Sequence, residues 1–333
     1  MRQLFLIVLI LLPASLTAQP MLTPEKIDIL RAGEEALLNA RWTEAYETYR
    51  TLCAEDGGDP LGYLYTASVL QAEMIDREEN LDKDRFFGLL DTVKVLCEKK
   101  LLSCTARDSA LCYLYLGHGL GNKAVWEAHF GSTLSAISLG LKAKGQYQKG
   151  LKIDSTLYDL YMGIGSYHYW KSVKAGILRS AGIFKDDREK GIAELKLAID
   201  SSLFSRNAAR SALVWIYVNE KEYEKAISLS WEMLEEYPGG NFFLWPLAEA
   251  YYKSGDYENA AGVYDTLLSR LKKNPGNYYN VIEVVYYLYD CYDKLDDDTA
   301  KEETAQYYRG IHNDIPGTIR RKQRSKVSFL KRI

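Results

Sequence analysis

The chain has 333 residues, of which 47% are hydrophobic and 26% charged, with 8 prolines and 24 glycines. This composition is that of a globular protein and excludes collagen-like, low-complexity and wholly disordered chains. The formal net charge of −3 gives no whole-chain basic surface of the kind that nucleic-acid-binding proteins use. Tyrosine is in excess, with 26 residues against 9 Phe and 6 Trp, which points either to a tyrosine-rich core or to a ligand surface.

The first segment, residues 1–18, has the pattern of a secretory signal peptide. Arg2 precedes an apolar run over residues 4–12, and the small residues Ala14 and Ala18 follow it. The run is shorter than the ~20 apolar residues that a membrane span needs. We expect cleavage after Ala18 and a periplasmic or secreted protein with no transmembrane span in its mature chain. An uncleaved anchor is the alternative.

Residues 19–122 have the pattern of degenerate helical repeats. Gly33, Trp42, Ala45 and Tyr49 recur at spacings that fit a pair of amphipathic helices. Residues 61–122 keep the helical period without a clean repeat register. We expect helices throughout this region.

Clearer repeats are expected between residues 123 and 274. One unit near 124–157 takes Phe130, Leu134, Ala143 and Tyr147 as packing positions, and the next unit begins near Tyr158. Extra residues near 172–187 interrupt that second unit.

The insertion near 172–187 combines apolar and basic residues. Its apolar content favours burial, so one interpretation is a plug that fills the interior, and the other is a binding element. The residues that would make either contact are Ile177, Leu178, Ile183 and Phe184.

Two stretches, 207–240 and 241–274, align without gaps at a spacing of 34 residues. Ala226 and Ala260 take the same position in both, where two helices must approach closely. Pro238 and Gly239 mark the turn between the two stretches. Because one such unit cannot bury its own apolar face, neighbouring units must stack. Strand and hairpin patterns are absent, so the predicted fold is all-α.

The second stretch contains YYKSGDYENAAGVYDTLL and resembles the tetratricopeptide repeat (TPR) family. The resemblance implies two antiparallel helices per unit and a right-handed solenoid of about seven helix pairs. It also implies a non-catalytic scaffold or adaptor that holds a protein or peptide in its concave groove.

Residues 158–270 also resemble a eukaryotic TPR family linked to the mitochondrial outer membrane and to clearance of protein inclusions. The segments YMGIGSYHYW and DDREKGIAELKLAID carry this second resemblance. Members of that family usually have proline in the insertion, which this chain lacks, and an export signal conflicts with a cytosol-facing role. Only the shared architecture is taken from it.

In TPR proteins the first helix of each pair lines the groove, so the resemblance assigns groove positions. Aromatic side chains there would anchor a partner, unless they pack against neighbouring helices instead. The residues expected to bind are Trp215, Asn219, Phe242, Trp245, Glu249, Tyr252 and Lys253. A small-molecule or glycan-binding module that uses the groove aromatics is an alternative function.

The C-terminal part divides into a degenerate helix pair at 275–315 and a basic tail at 316–333. The tail holds seven Lys and Arg residues and no acid. It would suit peripheral contact with an anionic membrane or an acidic partner, and its other interpretation is a frayed, solvated terminus.

The five cysteines do not have the spacing of a zinc or thioredoxin-like site. An exported protein can form disulfides, and Cys97 with Cys104 or Cys112 is the sequence-near pairing. The alternative is that the cysteines are small apolar core residues. The full set is Cys53, Cys97, Cys104, Cys112 and Cys291.

No motif for catalysis, metal binding or cofactor binding is present. The four histidines lack ligand spacing, and His168 takes a repeat position that Tyr usually holds, which favours packing. P-loop and GxSxG patterns are absent. We therefore expect no enzyme, no cofactor and no nucleic-acid partner, and a hydrolase with burial-shifted carboxylates is the remaining enzymatic alternative.

Overall fold

The computed structural model describes residues 21–55, 57–174 and 185–333, which form helices joined by short turns, with no β-strand among them. The expected signal peptide and the insertion residues Ile177, Leu178, Ile183 and Phe184 lie outside these ranges. The sixteen described α-helices are α1 Pro24–Leu38, α2 Trp42–Glu55, α3 Pro60–Arg77, α4 Lys83–Lys100, α5 Ala106–Phe130, α6 Thr133–Ile153, α7 Asp159–Lys174, α8 Arg188–Ser201, α9 Arg206–Asn219, α10 Tyr223–Glu236, α11 Asn241–Ser254, α12 Tyr257–Lys273, α13 Tyr278–Lys294, α14 Asp298–Ile311, α15 Gly317–Lys322 and α16 Arg324–Leu330.

The helices pack in successive pairs, from α1 with α2 to α13 with α14, and α15 and α16 follow these pairs. The first helix of a pair also packs against the first helix of the next pair, in the series α3, α5, α7, α9 and α11. This arrangement confirms the predicted all-α, TPR-like solenoid. The two 34-residue stretches become the pairs α9–α10 and α11–α12.

Short polar side chains and glycine mark several helix ends. Asp59 Oδ1 accepts a hydrogen bond from Leu61 N at 2.9 Å and so caps α3, and Asp297 Oδ1 accepts from Ala300 N at 3.0 Å and caps α14. Gly255 ends α11 with φ of +88°, a left-handed conformation that costs glycine little.

Tyrosine rings fill the space that glycines leave between helices. A Cβ atom on Gly33 would lie 2.3 Å from the ring of Tyr49, and a Cβ atom on Gly117 or Gly163 would lie 2.2 Å from the ring of Tyr147. Tyr49 is 1% exposed and Tyr147 is 4% exposed. Part of the tyrosine excess is therefore helix–helix packing.

The pair α5–α6 differs from the predicted unit near 124–157. It starts at Ala106, so the expected boundary at residue 122 falls within α5. Leu134, assigned to a packing position by its spacing, is 80% exposed. The pair is longer than its neighbours, and the first turns of α6 extend beyond the surface that would bury them.

Contacts between the first two helix pairs and the last three form a closing seam, defined by α1–α3 on one side and α9–α13 on the other. Asn39 Oδ1 accepts a hydrogen bond from Gly239 N at 2.9 Å, and the rings of Trp42 and Phe242 meet edge to face at 5.7 Å. Further bonds join Asn207 Nδ2 to Glu34 Oε2 at 3.0 Å and Asn277 Nδ2 to Asp76 O at 2.9 Å. The solenoid therefore folds back on itself, and the seam occupies part of the space that an open groove would leave.

Candidate functional site

We call the side of α9 and α11 that carries the predicted groove residues the inner surface, and it is the candidate site. On α9, Ala208, Ser211, Trp215 and Asn219 recur at three- and four-residue steps and lie on one side of the helix. The opposite side of α9 is buried in the core. Among the described residues, this amphipathic pattern leaves one side of α9 exposed.

Trp215 is the exposed aromatic residue of this surface. Its side chain is 39% exposed, although it sits in the middle of a helix whose neighbouring residues Val214 and Ile216 are buried. Trp245 on α11 is half-buried and packs against the C-terminal core. Trp215 is thus the groove aromatic most available to a partner.

A polar chain fixes the end of the surface nearest to α7 and α8. Asn219 Nδ2 donates to the Tyr169 hydroxyl at 2.6 Å, and that hydroxyl donates to Glu220 Oε1 at 2.7 Å. Arg188 Nη1 donates to both Glu220 oxygens at 3.0 Å. Burial and the bond to Glu220 raise the pKa of Tyr169, which stays protonated at neutral pH. The Asn219 amide is therefore held in place before any partner arrives.

Phe242 and Tyr252 make contacts within the protein. Phe242 is half-buried and packs on Trp42 across the closing seam. The Tyr252 hydroxyl donates to Asp290 Oδ2 at 2.5 Å, and its ring meets the Tyr287 ring edge to face at 5.0 Å. Both side chains therefore pack against neighbouring helices, which was the alternative to partner binding in the sequence analysis.

Glu249 and Lys253 form an ion pair on α11, with the Lys253 Nζ and Glu249 Oε1 atoms 2.5 Å apart. The pair is one helical turn long and partly exposed, which makes it a weak, salt-sensitive interaction. A charged group of a partner could replace either side chain of this ion pair at a small cost in free energy.

The basic tail is helical and packed, which corrects the interpretation as a frayed terminus. Ile319, Val327 and Leu330 are buried in the C-terminal core. Glu283 of α13 accepts a hydrogen bond from Gln323 Nε2 at 2.6 Å and lies 2.7 Å from Lys326 Nζ. Part of the positive charge is thereby neutralised within the protein.

Three of the five cysteines come together where α4 meets α5. The Cys97 thiol donates a hydrogen bond to Cys112. This bond and burial raise the pKa of Cys97, and the same bond lowers the pKa of Cys112 against the opposing effect of burial. Cys104 also contacts Cys112, and Met21 Sδ lies 3.7 Å from Cys112 Sγ. All five cysteines are free thiols in the structure. The sequence-near pairing options are therefore adjacent in space.

Two carboxyl groups with shifted pKa values were not found from the sequence. Burial raises the pKa of Glu34 to about 7 and that of Asp76 to about 6. Both lie on the closing seam, where Glu34 bonds to Asn207 and the Asp76 side chain bonds to Asn241. Their partners are amides on distant helices, which favours a structural role over the hydrolase alternative.

Two other features bear on chemistry. A cavity of about 590 Å³ lies between α2, α3 and α4. Two of its arginines, Arg41 and Arg77, pair with Glu44 and Glu73, and the third, Arg85, lies over the ring of Tyr46. His168 is 6% exposed with its Nδ1 2.6 Å from Glu194 Oε2, as expected for a packed histidine.

Within the described ranges no three His, Cys, Asp or Glu residues are placed to hold a metal ion. None of the described helices is long and apolar enough to cross a bilayer.

Residues 247–277, which cover the second half of α11 and all of α12, match the tetratricopeptide repeat family. The C-terminal part of a TPR repeat-containing protein from Cytophaga hutchinsonii is similar over 87% of this chain and 97% of that chain. Its sequence identity is 20% and its TM-score 0.44.

A comparison with curated proteins gives no match. The fainter resemblance to the eukaryotic mitochondrial family is not shown by these comparisons. TPR folds in general serve as non-catalytic scaffolds that bind proteins or peptides.

Proposed function

We propose that the protein is an exported scaffold that binds a peptide segment of another protein along the inner surface of α9 and α11. The observation that carries this proposal is Trp215, a large aromatic side chain 39% exposed on the open side of a first helix. Exposed Trp residues next to prearranged polar groups are typical centres of binding energy in interfaces. Asn219, bonded to Tyr169, is such a prearranged amide.

The surface offers an extended peptide polar and aromatic contacts on two neighbouring helices. Trp215 and Asn219 offer an aromatic face and an amide on α9, and Trp245, Glu249 and Lys253 continue the surface on α11. The Glu249–Lys253 pair can reorganise to meet a charge on the peptide, because exposed ion pairs of this type contribute little stability. Phe242 and Tyr252 are held by their contacts with Trp42 and Asp290.

A display library of random peptides, selected on the protein without residues 1–18, tests this proposal. We expect Trp215→Ala to weaken the selected peptides at least about tenfold, since hot-spot truncations cost roughly 2 kcal/mol or more. Trp231→Ala is the matched control, because Trp231 is 46% exposed on the second helix α10. Equal effects of the two substitutions, or none from Trp215→Ala, would remove the groove assignment.

Export belongs to the proposal through the signal-like pattern of residues 1–18. The described fold begins at Met21, whose amide donates to the buried Asp108 Oδ1 at 3.1 Å. Cleavage after Ala18 would therefore leave the described fold whole. Mass spectrometry of the protein from the producing cell should find an N-terminus at Gln19 in the extracytoplasmic fraction, and an intact Met1 in the cytoplasm would contradict export.

A further inference from the structure

The face of α6 that points away from the solenoid carries an exposed apolar stripe. Leu134 is 80% exposed, Ile137 is 53% exposed and Leu141 is 56% exposed. Their spacing of three and four residues places them on one side of the helix, within about a quarter of its circumference. Isolated exposed apolar residues are ordinary, but three aligned along one helix form a contiguous patch.

This stripe lies on a part of the α5–α6 pair that extends beyond its neighbours. None of residues 133–142 is buried, whereas Ala143, Tyr147 and Gly150 in the second half of α6 are. Helices α5 and α6 have 25 and 21 residues, against 14 in each helix of the α9–α10 pair. The first half of α6 therefore projects from the solenoid, together with Val125 of α5, which is 42% exposed.

The charge on this segment is entirely positive. Residues 128–153 contain no Asp or Glu, and among the described residues no ion pair to a carboxylate is found for their lysines. The nearest acid in sequence, Glu127, accepts a hydrogen bond from Ser132 N at 2.8 Å and so caps α6. The four lysines of the segment are Lys142, Lys144, Lys149 and Lys152.

We propose that the projecting end of the α5–α6 pair binds the surface of an anionic lipid bilayer. An apolar stripe beside lysines without acids is the composition of helices that lie at a lipid–water interface. Leu134, Ile137 and Leu141 enter the boundary between headgroups and acyl chains, and Lys142 and Lys152 contact lipid phosphates. Lys144 and Lys149 lie over the rings of Tyr167 and Tyr113 within the protein. This surface is separate from the inner surface of α9 and α11, so the proposal does not depend on the proposed function.

The dimensions of the stripe fit this mode. From Leu134 to Leu141 the helix rises about 10 Å, so a helix that lies in the plane of the interface presents these three apolar side chains along two turns of one face. Lys142 follows the last apolar residue directly, and Lys152 lies on the same side of the helix as Leu134. The lysines thus lie at headgroup level when the apolar stripe is inserted.

Co-sedimentation with vesicles tests the proposal. The protein without residues 1–18 is mixed with vesicles of phosphatidylcholine alone or with an equal amount of phosphatidylglycerol. We expect binding to the anionic vesicles, weakened by added salt. The triple variant Leu134→Ser, Ile137→Ser and Leu141→Ser should lose at least about tenfold in affinity, since each apolar side chain contributes to insertion. Lys142→Gln with Lys152→Gln should lose about fivefold per lysine.

The matched control is Val95→Ser with Leu102→Ser, because these residues are 62% and 86% exposed on a different part of the protein. The control variant should sediment with anionic vesicles as the unmodified protein does. Absence of binding, or equal loss in the control, overturns the proposal. Analytical ultracentrifugation adds a further contrary outcome: a dimer that the triple variant abolishes, without vesicle binding, would make the stripe a contact between copies of this chain.

Discussion

Glu34 and Glu35 are adjacent and chemically identical, but the fold gives them different properties. Glu35 is exposed and pairs with Arg41 at 2.9 Å. Glu34 faces the closing seam, where Asn207 Nδ2 donates to it and burial raises its pKa to about 7. Nothing in the local sequence separates the two, because the contact that distinguishes them comes from a helix 173 residues away.

The raised pKa of Glu34 predicts a pH dependence of stability. The folded protein keeps a proton that the unfolded chain releases near pH 4.5, so the free energy of unfolding should fall as pH rises from 4.5 to about 7. Glu34→Gln keeps an oxygen that accepts from Asn207 and removes the cost of burying a charge. We expect it to stabilise the protein by up to about 3 kcal/mol at pH 8 and to change little at pH 4.5.

Urea unfolding at the two pH values measures this difference. Glu35→Gln is the matched control, and its free energy of unfolding should follow the pH profile of the unmodified protein. A Glu34→Gln variant that also follows that profile would show that Glu34 is ionised in the folded state at neutral pH.

At the scale of helices, the spacing of apolar residues predicts the helix pairs correctly where those residues are also buried. The stretches 207–240 and 241–274 become α9–α12, and Ala226 and Ala260 are fully buried where the paired helices meet. The prediction fails for the α5–α6 pair, because Leu134 fits the helical period although its side chain faces solvent. Periodicity identifies the side of a helix, and only the neighbouring helices decide whether that side is covered.

The C-terminal helices show the opposite error. Residues 316–333 contain seven basic residues, but three apolar residues of the same segment pack into the C-terminal core. These are Ile319, Val327 and Leu330. Glu283 of α13 then holds Gln323 and Lys326 through its carboxylate. Net charge alone therefore predicts a solvated segment where the apolar side of a short helix in fact packs on a nearby surface.

Leu330→Ala tests how α16 is held. Leu330 is 1% exposed, and losing its buried methyl groups should cost about 2–3 kcal/mol of local stability. Because α16 is a helix of seven residues packed on α13 and α15, we expect local release of the helix before global unfolding. Amide hydrogen exchange of residues 317–333 should become at least about tenfold faster.

The exposed Arg324 of the same helix provides the control. Arg324→Ala should leave amide exchange of α15 and α16 unchanged. Equal exchange in both variants would mean that charge, rather than burial of Leu330, holds the tail.

At the scale of the whole molecule, the closing seam was beyond sequence reasoning. A TPR-like stack is stabilised by nearest neighbours, and its repeat pattern says nothing about contacts between distant units. Here Asp76 meets Asn277 across 201 residues, and Asn39 meets Gly239 across 200. For this reason the predicted groove residue Phe242 lies on Trp42, while Trp215, away from that contact, stays exposed.

The seam should make the solenoid more compact and more cooperative than an open stack, and Gly239→Ala tests this. A Cβ atom at residue 239 would lie 2.6 Å from Asn39 O, so the two sides must separate. We expect a loss of about 1–3 kcal/mol in unfolding free energy. Small-angle X-ray scattering should show a larger radius of gyration.

Gly262→Ala is the matched change, because a Cβ atom at residue 262 on α12 meets nothing within 4 Å. It should leave the radius of gyration unchanged and raise stability by about 0.5–1 kcal/mol, the usual effect of replacing glycine within a helix. If the radius of gyration of Gly239→Ala equals that of Gly262→Ala, the seam accommodates the added methyl group without separating. The first and last helix pairs would then be coupled only through the chain of neighbours between them.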